Sequence, residues 1–151
     1  MPNSTDVWDE IASAAAAESD LWRDARRADV ETLPVFSPLA DERYSLGLET
    51  IYEGYLCHYG TPRLFAPRDA ETALLLGDYL YAHGLVRIAA TGEVEAVAEL
   101  AELISLCARL RAEGEDGDGE AWAATAASLA SHAAGDGEVE RALALHCERV
   151  G

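Results

Sequence analysis

Apolar residues recur along this chain at helical spacing, in blocks separated by Pro, Gly and Asp, and no stretch keeps the alternation of a half-buried strand. Six helical segments are predicted, over about 6–28, 39–59, 69–90, 93–113, 120–134 and 136–150. Thr5 or Asp6 is placed to cap the first, and its alanine run favours helix. Residues 29–39, with Pro34 and Pro38, read as an extended connector crossing the surface. In the second segment Tyr44, Leu48, Ile51, Tyr55 and Tyr59 share one face at 100° per residue, which puts Glu49 and Glu53 opposite, in solvent. Gly60 suits a left-handed cap, and Pro62 and Pro67 prevent that helix from continuing. The acidic, Gly-rich run 113–120 reads as a solvated linker. The tetrapeptide GDGE, at 117 and again at 135, is expected to do one job twice, Gly ending a helix and Asp capping the next. The fold class is therefore all-α, a single domain over residues 1–151 in a bundle of about six helices.

Composition narrows the function. The chain has 151 residues, 28 acidic against 11 basic, for a net charge of −17. Such a field repels phosphate backbones and anionic lipid headgroups, so nucleic acid is not expected as a partner. Every basic residue is Arg. The acidic balance fits either salt adaptation or a basic partner. The N-terminal MPNSTDVWDE lacks the basic and apolar regions of a secretory signal, which predicts a cytoplasmic protein. The apolar stretch 73–90 is interrupted by Asp78, His83 and Arg87, so no transmembrane segment is expected. Cys57, Cys107 and Cys147 lie far apart without a CxxC pair, as reduced and mostly buried thiols do.

Candidate chemistry is sparse. Gly47 with Gly54, and Gly77 with Gly84, lie seven residues apart on the second and third segments, so each pair shares one side of its helix. A mid-helix Gly costs about 1 kcal/mol relative to Ala, and close helix-to-helix packing is the expected compensation. Asp78 projects beside Leu74, Gly77, Tyr81 and Leu85 on what reads as the apolar face, where a carboxylate needs partners. Either it is tied to donors of a neighbouring helix, or it belongs to a ligand pocket with Tyr44, Tyr55, His58 and Tyr81. Cys57–His58 and His146–Cys147 are adjacent pairs and point about 100° apart, unlike the i, i+3 or i+4 spacing of helical metal ligands, so no metal is expected. No nucleophile elbow, phosphate loop, dinucleotide fingerprint or di-iron motif occurs, so the chain is expected not to be an enzyme and to need no cofactor.

Residues 75–90, LLGDYLYAHGLVRIAA, preceded by HYGTPRLFAPRDAET, resemble the LxGDxLxxxA helix of all-α polyprenyl diphosphate synthases and the loop before it. The resemblance covers about 46–111 and implies a truncated isoprenoid-synthase-like bundle. The DDxxD motifs that hold magnesium diphosphate in that family are missing. What is implied is a non-catalytic relative, a regulatory or small subunit supporting a catalytic partner, with Gly77 and Asp78 as structural positions only. Three functions stay open: an accessory or interaction protein whose Trp8, Trp22 and Trp122 meet a partner chain or a second copy, a small-molecule-binding domain with its pocket around Asp78, and a structural subunit of a larger assembly.

Overall fold

The computed structural model describes residues 4–150, with side chains from Val7 onward. Seven helices form one all-α bundle: α1 (Ser4–Glu18), α2 (Asp20–Asp24), α3 (Ser45–Tyr59), α4 (Ala70–Ala89), α5 (Val94–Glu113), α6 (Asp118–Ser128) and α7 (Asp136–Val150). No strand forms among the described residues. A single antiparallel bridge, Arg26 with Phe65, ties the chain after α2 to the α3–α4 loop. No described helix is long and apolar enough to cross a membrane.

The helix expected over 6–28 is broken at Ser19, whose backbone is extended and whose hydroxyl accepts from the Leu21 amide at 3.1 Å. A side chain that caps its own downstream turn competes with helix continuation, and here it wins. The helix expected from Leu39 starts at Ser45, after two 3₁₀ turns, Ser37–Leu39 and Glu42–Tyr44. Asp41 caps the second turn by accepting from the Arg43 amide at 3.0 Å. The 29–39 connector is no mere surface crossing, because Val35, Phe36 and Leu39 are buried in the main core.

Eleven consecutive residues of α3, Gly47 to Cys57, are buried. A helix covered on every side must be the axis of its bundle, and α3 accordingly packs against α1, α4, α7 and both 3₁₀ turns. The main core gathers Phe36, Tyr52, Tyr55, Leu100 and Trp122 on one side of it. A second cluster, with Trp8, Ile11, Trp22, Phe65, Leu76 and Leu80, lies under α1 and α2. Trp8, Trp22 and Trp122 are thus core residues, not the exposed aromatics expected of a contact surface.

Gly60 is extended (φ −148°, ψ −148°), not left-handed. Its bareness serves close approach, since a Cβ there would lie 2.7 Å from the Arg149 carbonyl oxygen at the end of α7. The left-handed cap is Gly114 (φ 69°), which closes α5. The linker expected over 113–120 is therefore short, and α6 begins at Asp118 with that carboxylate turned inward.

Candidate functional site

The α3–α4 seam holds the residues of the expected pocket. A Cβ on Gly54 would lie 2.9 Å from the Gly77 carbonyl oxygen, and one on Gly84 would lie 2.4 Å from Ile51 Cγ1. A Cβ on Gly47 would lie 2.4 Å from Ile88 Cδ1, and one on Gly77 would lie 2.1 Å from the His58 ring. The two helices meet backbone to backbone, so no ligand fits between them. Tyr44 and Tyr55 are both buried, but Tyr44 closes the second 3₁₀ turn while Tyr55 lies in the C-terminal half of α3. Arg43 covers the Tyr44 ring at 4.7 Å.

Asp78 is corrected: its side chain is 69% exposed. The inward face of α4 carries Gly77, Leu80, Gly84 and Ile88, and Asp78, one residue on from Gly77, is rotated about 100° away from it. His58 fills the notch left by Gly77, and its Nε2 approaches Asp78 Oδ1 at 3.2 Å. That approach is out of hydrogen-bond alignment, and Nε2 has no other partner among the described residues. Tyr81 is half-buried and stacks on His58 at 5.1 Å. Burial pushes its phenol well above the usual value. The seam therefore brings together His58, Asp78 and Tyr81, while Tyr44 and Tyr55 lie elsewhere.

Glu49 and Glu53 are a second correction, for both are buried and share Arg63 from the α3–α4 loop. Arg63 Nη1 donates to Glu49 Oε1 at 2.7 Å and Nε donates to Glu53 Oε1 at 3.0 Å. The Leu64 amide and the Ser37 hydroxyl supply further donors, to Glu53 at 2.7 Å and to Glu49 at 2.6 Å. The Trp8 and Tyr52 rings lie 4.7 and 5.1 Å from the guanidinium carbon. Burial opposes the charge on Arg63, but the two carboxylates outweigh it and raise its pKa.

A third polar group joins α3, α5 and α6. Tyr55 Oη donates to Asp118 Oδ2, which also accepts from Arg111 Nε at 2.6 Å. Arg111 Nη2 donates to Tyr55 Oη at 2.9 Å. Burial works against the Asp118 charge, yet the bonds from Tyr55 and Arg111 outweigh it and hold the carboxyl below its usual range. Asp136 of the second GDGE is exposed, so the repeated tetrapeptide does two different jobs.

Tyr52 Oη and His146 Nδ1 are 2.8 Å apart, inside a cage of Phe36, Tyr55 and Trp122. Burial pulls the His146 imidazole below its ordinary pKa, with Arg111 adding to the effect and Asp118 opposing it. Unfolded histidine takes its proton near pH 6.5, and the native ring takes it only at lower pH. Its contribution to stability is therefore complete above about 6.5 and is lost as pH falls below that value. Between pH about 7.5 and about 5 the wild-type melting temperature should fall further than that of His146→Gln. Parallel curves would show that the ring is not held neutral.

The outer side of α4 is apolar. Leu74, Leu75, Ala82, Val86 and Ala89 are exposed there, with Glu71 and Asp78 as the acids among them. These positions span roughly a third of the helix circumference, and Val86 is 64% exposed. No three His, Cys, Asp or Glu side chains among the described residues converge on a metal-sized site. Comparison with protein-family models, with curated proteins and with solved structures gives no match.

Proposed function

We propose that this protein is a non-catalytic helical accessory subunit that works through the outer face of α4, and that its partner is a prenyl diphosphate synthase-like chain carrying DDxxD motifs. The observation that carries this reading is the stripe of Leu74, Leu75 and Val86, left in water on a helix whose opposite side is already satisfied by α3. Exposed apolar residues grouped along one helix favour a protein interface. The stripe falls within the LLGDYLYAHGLVRIAA segment that resembles the synthase helix, and the chain supplies no aspartate-rich motif of its own. With −17 charges overall, a face bearing only two acids is where another chain approaches at least electrostatic cost.

The pocket around Asp78 loses its location, because that carboxylate is in solvent and the seam beneath it is closed. A structural subunit of a larger assembly uses the same α4 face and differs only in its partner.

Light scattering on the protein mixed with a DDxxD-bearing synthase from the same cells tests the reading. A stoichiometric complex is expected with wild type. Leu74→Glu with Val86→Glu should abolish it while helicity and melting temperature stay close to wild type. Failure of wild type to form the complex rejects the synthase partner, and a complex indifferent to the double substitution rejects the α4 face.

A further inference from the structure

A cleft of about 630 Å³ opens between the end of α5, the 114–117 loop, the first turn of α6 and the last turns of α7. His146 reaches it from a position only 4% exposed. Its Nδ1 is engaged by Tyr52, whereas Nε2 has no partner among the described residues. Gly119 keeps the ring edge uncovered: a Cβ there would lie 3.0 Å from His146 Cδ2 and 3.6 Å from Nε2. An imidazole with one nitrogen fixed and the other turned to an open cleft offers an acceptor that a ligand can engage in place of solvent.

The charges around it choose the ligand. Glu115, Asp116 and Glu120 line the cleft together with Asp118. The one cation among its described lining residues, Arg111, is spent on Asp118 and Tyr55, and its guanidinium carbon lies 5.1 Å from the Tyr59 ring centre. We infer that this cleft binds a small organic cation with an ammonium or guanidinium end, which donates to His146 Nε2 while the acids of the mouth offset its charge. Tyr52 then accepts from Nδ1–H, the tautomer that leaves Nε2 free to accept. A metal ion is a poorer fit, since the acids do not converge with the histidine on one point.

Agmatine, which carries an amine at one end and a guanidinium at the other, is the probe, with citrate as the anionic control. Both are titrated in about 0.15 M salt, where long-range attraction to an acidic protein is screened, while the imidazole nitrogens are followed by NMR and assigned with His146→Gln. Saturable agmatine binding that moves the His146 Nε2 resonance is expected. Combined Glu115→Gln, Asp116→Asn and Glu120→Gln should weaken it about tenfold or more. Combined Asp136→Asn, Glu138→Gln and Glu140→Gln removes as much charge around the second GDGE, where Gly135 and Gly137 face open space, and should change it less than about twofold. Absent binding, an unmoved His146 signal, or equal weakening by both triples overturns the site. Citrate moving the resonance in place of agmatine keeps the cleft as a site and overturns the cation.

Discussion

Arg63→Met is expected to lower the unfolding free energy by about 3–5 kcal/mol, because it leaves two buried carboxylates facing each other without their shared cation. That is a large part of the roughly 5–15 kcal/mol that holds a typical domain together. Arg63→Lys should recover only part of the loss. A single ammonium cannot reproduce the fork that reaches Glu49 and Glu53 at once and also donates to the Leu33 carbonyl at 3.1 Å. Adding Glu49→Gln and Glu53→Gln to Arg63→Met should restore stability relative to Arg63→Met alone, since the cost lies in the orphaned charges. Urea titrations of the variants check this, and an Arg63→Met midpoint matching wild type would show that the carboxylates are not buried together.

Gly54→Ala should cost about 2 kcal/mol, a fall of about 4–8 °C in melting temperature. Helix propensity alone predicts the opposite sign, a gain of about 1 kcal/mol. The added methyl group would meet the Gly77 carbonyl oxygen at 2.9 Å and Leu80 Cβ at 3.2 Å. Neither can swing aside, so the helices must part. Gly54→Leu should cost about 4 kcal/mol or more. Thermal melts decide it, and a higher melting point for Gly54→Ala would mean that the seam is looser than backbone contact.

These two predictions mark where sequence reasoning reaches and where it stops. The glycine pairs were legible because a seven-residue spacing marks one side of a helix without reference to any neighbour. The extents of α4 and α5 were also close to those expected, because Asp69 and Gly92 punctuate the chain locally. Glu49 and Glu53 were misplaced because a helical projection assigns carboxylates to water, and nothing on the helix reveals that an arginine comes back over it. The available signal was two acids at i, i+4 on an otherwise apolar helix, followed at once by a loop bearing two arginines, Arg63 and Arg68.

Asp78 failed for a related reason. Both sides of α4 are apolar, one for α3 and one left in solvent, so hydrophobicity alone could not orient the helix, whereas Gly77 and Gly84 could. The candidate cleft was hidden in the run read as a linker. The two GDGE copies are identical in sequence, and only Tyr55 and Arg111, supplied by α3 and α5, turn the first one inward.

The position of Arg63 also bears on the order in which the chain can assemble. α3 cannot give up the water on its Glu49–Glu53 side while those acids are unpaired, so early closure of the connector and α1 over that side would strand two charges. The arginine stands ten and fourteen residues away from them in sequence, and closing so short a loop is fast, on the order of 10–100 ns. Docking of the α3–α4 loop and burial of α3 are thereby coupled into one cooperative step, with the ion pair acting as a checkpoint that admits the central helix to the core only in its native register.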